Sequence, residues 1–226
     1  MQDSMSWKEK REMRLRYNAE ADGYDELYSD EQRTKYELAF RRIVFCGADR
    51  ILDCGCGTGI FLEKVAGRVQ FAVGVDLSPK MLERTKLRLG QISNVELVCA
   101  DIDFLPFSEG TFRHVFMFTV LPDVHTYWGD TISEALRALG TRGSMTLSVP
   151  KKETSSEKLL RKLSMNGLEP RELIDDETTS FVHRLILTHY DALTNSRIHN
   201  LCSPRLFKSW RRLIRFCLQG QEVDEF

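Results

Sequence analysis

The chain has 226 residues, with 32 Lys plus Arg against 33 Asp plus Glu and a formal net charge of −1. That length suffices for one α/β domain with a full core, and the balanced charge excludes steering to nucleic acid by a global field, so any basic surface is local. No apolar run reaches membrane-spanning length, and the charged start Lys8-Glu9-Lys10-Arg11-Glu12 lacks the apolar region of a signal peptide, so a cytoplasmic location is expected.

Residues 5–20 read as a strongly charged helix and 31–46 as a second one, with Tyr17 to Tyr28 between them. The run Ile51-Leu52-Asp53-Cys54-Gly55-Cys56-Gly57-Thr58-Gly59 then reads as a buried strand ending in a tight turn that opens a helix over 58–66. Glycines in such a turn let the backbone approach a ligand closely. Asp53 brings one negative charge to the carboxyl end of the strand, where open α/β sheets bind ligands. Such a turn suits a ligand with a positive pole. The spacing departs from the dinucleotide pattern Gly-x-Gly-x-x-Gly, because Ile60 holds the third glycine position and Gly59 comes one residue early. That disfavours a nicotinamide dehydrogenase.

Phe71 to Asp76 reads as a second buried strand ending in an acid, and Ser78-Pro79 opens a helix over 79–90. Val95 to Ile102 reads as a third strand, ending in Asp101. Residues 112–119 form an aromatic-rich strand, 129–140 a helix ending near Gly140, 143–149 a fifth strand stopped by Pro150, and 155–166 a helix before Gly167. Two more strands are expected near 170–175 and 181–190. The alternation argues for a parallel sheet with helices on both faces. Of the six cysteines (Cys46, Cys54, Cys56, Cys99, Cys202, Cys217), two form C-x-C inside the glycine turn and none stands at zinc spacing, so no metal is expected.

D-C-G-C-G-T-G resembles motif I of the class I S-adenosylmethionine-dependent methyltransferases, an acidic residue followed by G-x-G-x-G. Asp76 and Asp101 stand in the order of that family's second and third strand-end acids, and Leu105-Pro106-Phe107 with Phe112 resembles its D-x-x-x-L-P-F…F-D run. The resemblance covers about residues 17–190. It implies a Rossmann-like sheet of seven strands, mostly parallel, with the last strand antiparallel. It divides the chain into an N-terminal helical cap (1–47), a methyltransferase core (48–191) and a C-terminal basic helical extension (192–226).

The resemblance also implies S-adenosylmethionine as cofactor and S-adenosylhomocysteine as product. Asp53 would hold the methionine amino group, directly or through water, over a turn made by Gly55, Cys56, Gly57 and Gly59. Asp76 would hold the ribose and Leu77 would flank the adenine. Asp101 and the backbone of Ile102 would meet the adenine edge, with Phe118 at the end of the fourth strand. Tyr17-Asn18-Ala19-Glu20-Ala21-Asp22-Gly23-Tyr24-Asp25 resembles the segment that folds over the cofactor in such relatives; Tyr17 and Tyr24 either line the pocket or pack the helices onto the sheet. No general base transfers by motif. His125 is a loop histidine with no assigned role, and Arg113 replaces the usual aspartate after Phe112.

Pro204 to Leu218 shows an amphipathic helical pattern with a stripe of Lys208, Arg211, Arg212 and Arg215. The stripe is either a solvated face or an anion-binding surface for RNA or an acidic partner. The expected function is methyl transfer to a small-molecule, RNA or protein acceptor. The alternative is a cofactor-binding protein that does not turn over.

Overall fold

A computed structural model describes residues 5–121, 128–150, 155–166, 168 and 170–174, and the backbone of 183–189. Among the described residues, seven strands form one sheet: β1 (Arg50–Cys54), β2 (Phe71–Asp76), β3 (Val95–Cys99), β4 (Phe112–Phe118), β5 (Leu139–Pro150), β6 (Pro170–Ile174) and β7 (His183–His189). Their order is β3-β2-β1-β4-β5-β7-β6. The first five strands pair in parallel, and β7 runs antiparallel to both β5 and β6. This is the expected mostly parallel sheet with its last strand reversed. The order changes direction between β1 and β4, which opens a crevice at the carboxyl ends of these strands.

Among the described residues, six α-helices flank the sheet: α1 (Trp7–Glu20), α2 (Tyr24–Arg42), α3 (Ile60–Val65), α4 (Pro79–Leu89), α5 (Gly129–Ala138) and α6 (Ser156–Met165). Because both faces are covered, the central strands are apolar on both sides. Leu52, Val73, Val115 and Met145 face the layer of Trp128, Ile132, Leu136 and Leu159. Ile51, Ala72, Phe116 and Phe118 face the layer of Tyr36, Ala39, Phe61 and Leu62. Each such side chain, fully buried, contributes roughly 1.5–3 kcal/mol. Phe61 lies 4.5 Å from Phe116 and 5.1 Å from Phe118 between ring centroids, which fixes the end of β4 against α3.

Caps set the helix starts. Ser6 and Glu9 form a reciprocal capping box on α1, with Ser6 N–H donating to Glu9 Oε2 at 2.7 Å. Ser78 Oγ accepts from Met81 N–H at 3.1 Å at the start of α4.

Three boundaries differ from expectation. Helix α2 starts at Tyr24 rather than residue 31 and ends at Arg42 rather than 46, because Gly23 caps it and Asp25 and Glu26 suit its first turn. Tyr24 to Tyr28 is therefore helix, not linker. The turn after β1 extends to Gly59, so α3 starts at Ile60. Helix α5 stops at Ala138 and β5 starts at once, with Leu139 beside Phe112 and a register shift before the His114–Ser144 pair. Gly140 is not a helix stop; a Cβ there would lie 3.2 Å from the Gly110 carbonyl oxygen and 3.3 Å from that of Phe112. Arg113, which replaces the family's aspartate, donates to the carbonyl of Arg142 in this irregular stretch.

Candidate functional site

The carboxyl ends of β1 to β5 surround a cavity of about 480 Å³, roofed by α1 and α2. That volume lies within the range of small-ligand sites. Its floor is the turn after β1. Gly55 and Cys56 donate their N–H groups to the Val75 carbonyl at 2.7 and 2.9 Å, which anchors the turn on β2. Gly57 takes a left-handed φ of +54°, and a Cβ there would meet nothing within 4 Å, so its open side faces the cavity. Gly59 differs: a Cβ there would lie 2.5 Å from Thr85 Cγ2, so this glycine serves packing against α4 and does not line the cavity.

Asp76 lines the cavity at the end of β2. Its Oδ2 accepts from Gly57 N–H at 2.9 Å and its Oδ1 from Ser78 N–H at 2.8 Å. Burial pushes its carboxyl pKa up, against the pull of these backbone donors. A carboxylate has about four acceptor positions, so acceptor capacity remains for a ligand hydroxyl. Asp53 stands apart. It is 2% exposed, lies under the turn on the strand face of Ile51, and does not line the cavity. Burial, with the charge of Asp76 in second place, raises its pKa to about 8. A cationic ligand above the turn favours the ionised form.

Leu77, Asp101, Ile102 and Phe118 all line the cavity, as do Tyr17 and Tyr24. The two tyrosine rings meet edge to face at 6.4 Å, and burial pushes the Tyr24 phenol pKa up. Ten of the twelve residues singled out in the sequence therefore line one space; Asp53 and Gly59 support it from behind.

Several cavity groups carry no sequence signal. Lys10 of α1 is buried, and its Nζ donates to Asp101 Oδ2 at 2.6 Å and to Asp103 Oδ2 at 2.5 Å. Burial draws its pKa down, but the bonds and charges of the two acids outweigh it, and the net shift is upward. Thr131 of α5 donates to the other oxygen of Asp103. Asn18 accepts from Ser78 Oγ at 2.7 Å, Arg84 donates to the Asp22 carbonyl at 3.0 Å, and Arg88 pairs with Asp25. These contacts tie the N-terminal segment across the strand ends. Thr119, in a left-handed φ of 57°, and Leu121 complete the far wall. Pro122, Asp123, Val124 and His125 lie outside the described residues, as do Gly167, Cys202, Cys217 and the stripe Lys208, Arg211, Arg212 and Arg215. Among the described residues, no group of three or more His, Cys, Asp or Glu could hold a metal ion, and no helix is long and apolar enough to cross a membrane.

Residues 51–143 match the family model of a methyltransferase domain. That stretch is similar to a methyltransferase domain, and the fold is that of the class I S-adenosylmethionine-dependent methyltransferases. It is 32% identical over 135 residues to a malonyl-[acyl-carrier protein] O-methyltransferase of Halorhodospira halophila, a match covering 58% of this chain and 44% of that relative. It is 31% identical over 112 residues to a demethylmenaquinone methyltransferase of Corynebacterium urealyticum, covering 48% and 46%. The chain thus spans less than half the length of either relative. Among solved structures, a methyltransferase in complex with the Trm112 activator from Haloferax volcanii superposes with a TM-score of 0.66 at 18% identity, covering 77% of this chain and 97% of that one. An Aquifex aeolicus S-adenosylmethionine-dependent methyltransferase superposes at 0.63 and 14% identity, covering 76% and 97%. These two likenesses concern the fold.

The family's cofactor is S-adenosylmethionine, and the cavity suits it: Gly57 leaves backbone open, Asp76 keeps acceptor capacity, and Asp101 and Ile102 stand at the neighbouring strand end.

Proposed function

We propose that the chain transfers a methyl group from S-adenosylmethionine to a small acceptor, or to a small group presented by a larger carrier, inside the roofed cavity. One observation carries this reading: a single cavity of about 480 Å³ joins the glycine turn and the strand-end acids to a second wall at Phe118 to Leu121, giving space for two reactants. The relatives named for malonyl-[acyl-carrier protein] and demethylmenaquinone support such an acceptor without fixing it.

S-adenosylmethionine supplies a methyl group activated on a sulfonium cation. The protein's own work is binding, alignment and exclusion of water. Asp76 accepts from the ribose hydroxyls while its two backbone bonds hold it still. Leu77 lies along the adenine and Ile102 meets its edge. Asp53 acts from beneath, its charge favouring a cation above the turn. Helices α1 and α2 form a cap, with Tyr17 and Tyr24 as its inner wall. Holding two reactants in line supplies several kcal/mol of the barrier, and the cap keeps solvent out.

The test is transfer of labelled methyl into a cell extract, separated into small molecules, carrier-bound groups, protein and RNA. Label in the small-molecule or carrier fraction that is lost in Asp76→Ala is the expected result. Label in RNA overturns the acceptor class. Tight S-adenosylhomocysteine binding with no label in any fraction supports a binding protein without turnover.

A further inference from the structure

Lys35 carries a buried amine that the proposed methyl transfer does not use. Its side chain is 0% exposed, and its Nζ donates to Thr119 Oγ1 at 2.5 Å and to Glu31 Oε1 at 3.2 Å. Thr119 is the first residue after β4 and lines the cavity; Gln32 and Tyr36, on the same face of α2 as Lys35, line it too. A β-branched residue in the left-handed region is a genuine outlier, and such strain persists where the surroundings impose it. Here Ser148 imposes it, its carbonyl and its Oγ accepting from Thr119 N–H at 3.2 and 2.9 Å.

Resting on the methyltransferase reading, we propose that Lys35, reaching through the Thr119 hydroxyl, takes up the proton that the methyl acceptor releases. Methyl transfer turns an acceptor X–H and a sulfonium into X–CH3, a thioether and one proton. The acceptor's proton passes to Thr119 Oγ1 while the hydroxyl's own proton passes to the Nζ lone pair. The ammonium so formed faces Glu31. Lys35 is thus a positioning residue, and Thr119 is the group that touches the acceptor.

Electrostatics run the right way at each stage. Burial draws the Lys35 pKa down, opposed by the charge and hydrogen bond of Glu31. A sulfonium in the cavity disfavours a second cation, and its conversion to a thioether removes that opposition. Glu31 is the charged group set against Lys35 on α2, and β4 and β5 present the hydroxyls of Thr119 and Ser148. Strand β7 also packs on α2 and begins with His183 and Arg184, whose side chains lie outside the described residues.

The test needs no acceptor. S-adenosylmethionine and S-adenosylhomocysteine are titrated calorimetrically into the full chain near pH 8, in buffers of different ionisation enthalpy, which counts protons taken up. The wild type takes up more protons with S-adenosylhomocysteine than with S-adenosylmethionine, and Lys35→Met lowers that difference. Comparing proteins cancels the ligands' own titration. Lys35→Arg, which keeps the charge and never gives it up, behaves like Lys35→Met and stands in for it where the methionine variant does not fold. Both ligands bound with the difference unchanged in the variants overturns the proposal and leaves the methyltransferase reading intact. Failure of S-adenosylhomocysteine to bind the wild type overturns that reading and the proposal with it. In the methyl-transfer assay, Thr119→Val shifts the pH profile and lowers transfer at neutral pH by about tenfold or more, and Thr119→Ser restores both; equal profiles for the two also overturn it.

Discussion

The floor and the roof of the cavity are held by different forces. The floor is made of strand ends and a turn, and short-range backbone bonds keep it: Asp76 accepts from Gly57 and Ser78, and the turn hangs on Val75. The roof is made of α1 and α2, and side-chain contacts between residues far apart in sequence keep it, among them Lys10 with Asp101 and Asp103 and Lys35 with Thr119. A rigid floor can bind a ligand in one pose. Of the roof, α2 is also packed on the sheet through Tyr36 and Ala39, whereas α1 is held largely by polar contacts.

Removing the strongest roof contact breaks this contrast most visibly. Lys10→Met leaves Asp101 and Asp103 without their cation, and breaking a buried pair from one side costs about 3 kcal/mol or more. Denaturant unfolding reads that loss, and Asp103→Asn combined with Lys10→Met recovers part of it. On the floor, Asp76→Ala removes a charged acceptor, at about 2 kcal/mol in S-adenosylhomocysteine affinity, or roughly 30-fold. Titration calorimetry checks it, and an unchanged affinity would sink the placement of the ribose.

Asp53 sharpens the contrast through pH. Its folded pKa of about 8 stands above the ordinary carboxylate value of 3.8. The folded state therefore binds the extra proton between these values, and stability falls as pH rises through that window, by at most about 1.4 kcal/mol per pH unit. Asp53→Asn flattens that slope in melts taken from pH 5 to pH 8 and lowers affinity for the cationic cofactor less than Asp76→Ala does. At the small end, Arg84→Ala removes an exposed pair with Asp22 and changes stability by about 0.5 kcal/mol or less.

The floor was legible in the sequence because its information is local. Asp53 to Gly59 is one continuous run, and Asp76 and Asp101 end apolar runs that announce themselves as strands. Even there a string of glycines hid a division of labour: Gly57 faces the ligand space, whereas Gly59 makes room for Thr85. The roof was less legible because its meaning lies in contacts across the chain. Lys10 is one lysine in a charged helix, and nothing near it shows that its partners stand 91 and 93 residues away. Lys35 sits in a helix of many charges, and only the packing of α2 on the end of β4 reveals it as buried. The early start of α2 was missed for a related reason: Tyr24 to Tyr28 matched a motif and so read as a connector, although no proline separates it from the helix that follows.

The placement of β7 between β5 and β6 has a consequence for how the chain emerges from a ribosome. Strand β6 precedes β7 in sequence, yet within the sheet its hydrogen-bonded neighbour is β7. Until β7 has been synthesised and threaded beside β5, β6 has no ladder to join, and the outer edge of β5 stays open. A nascent chain held short of residue 183 should therefore present that edge to chaperones and to other nascent chains, and lose this hazard in a single late step.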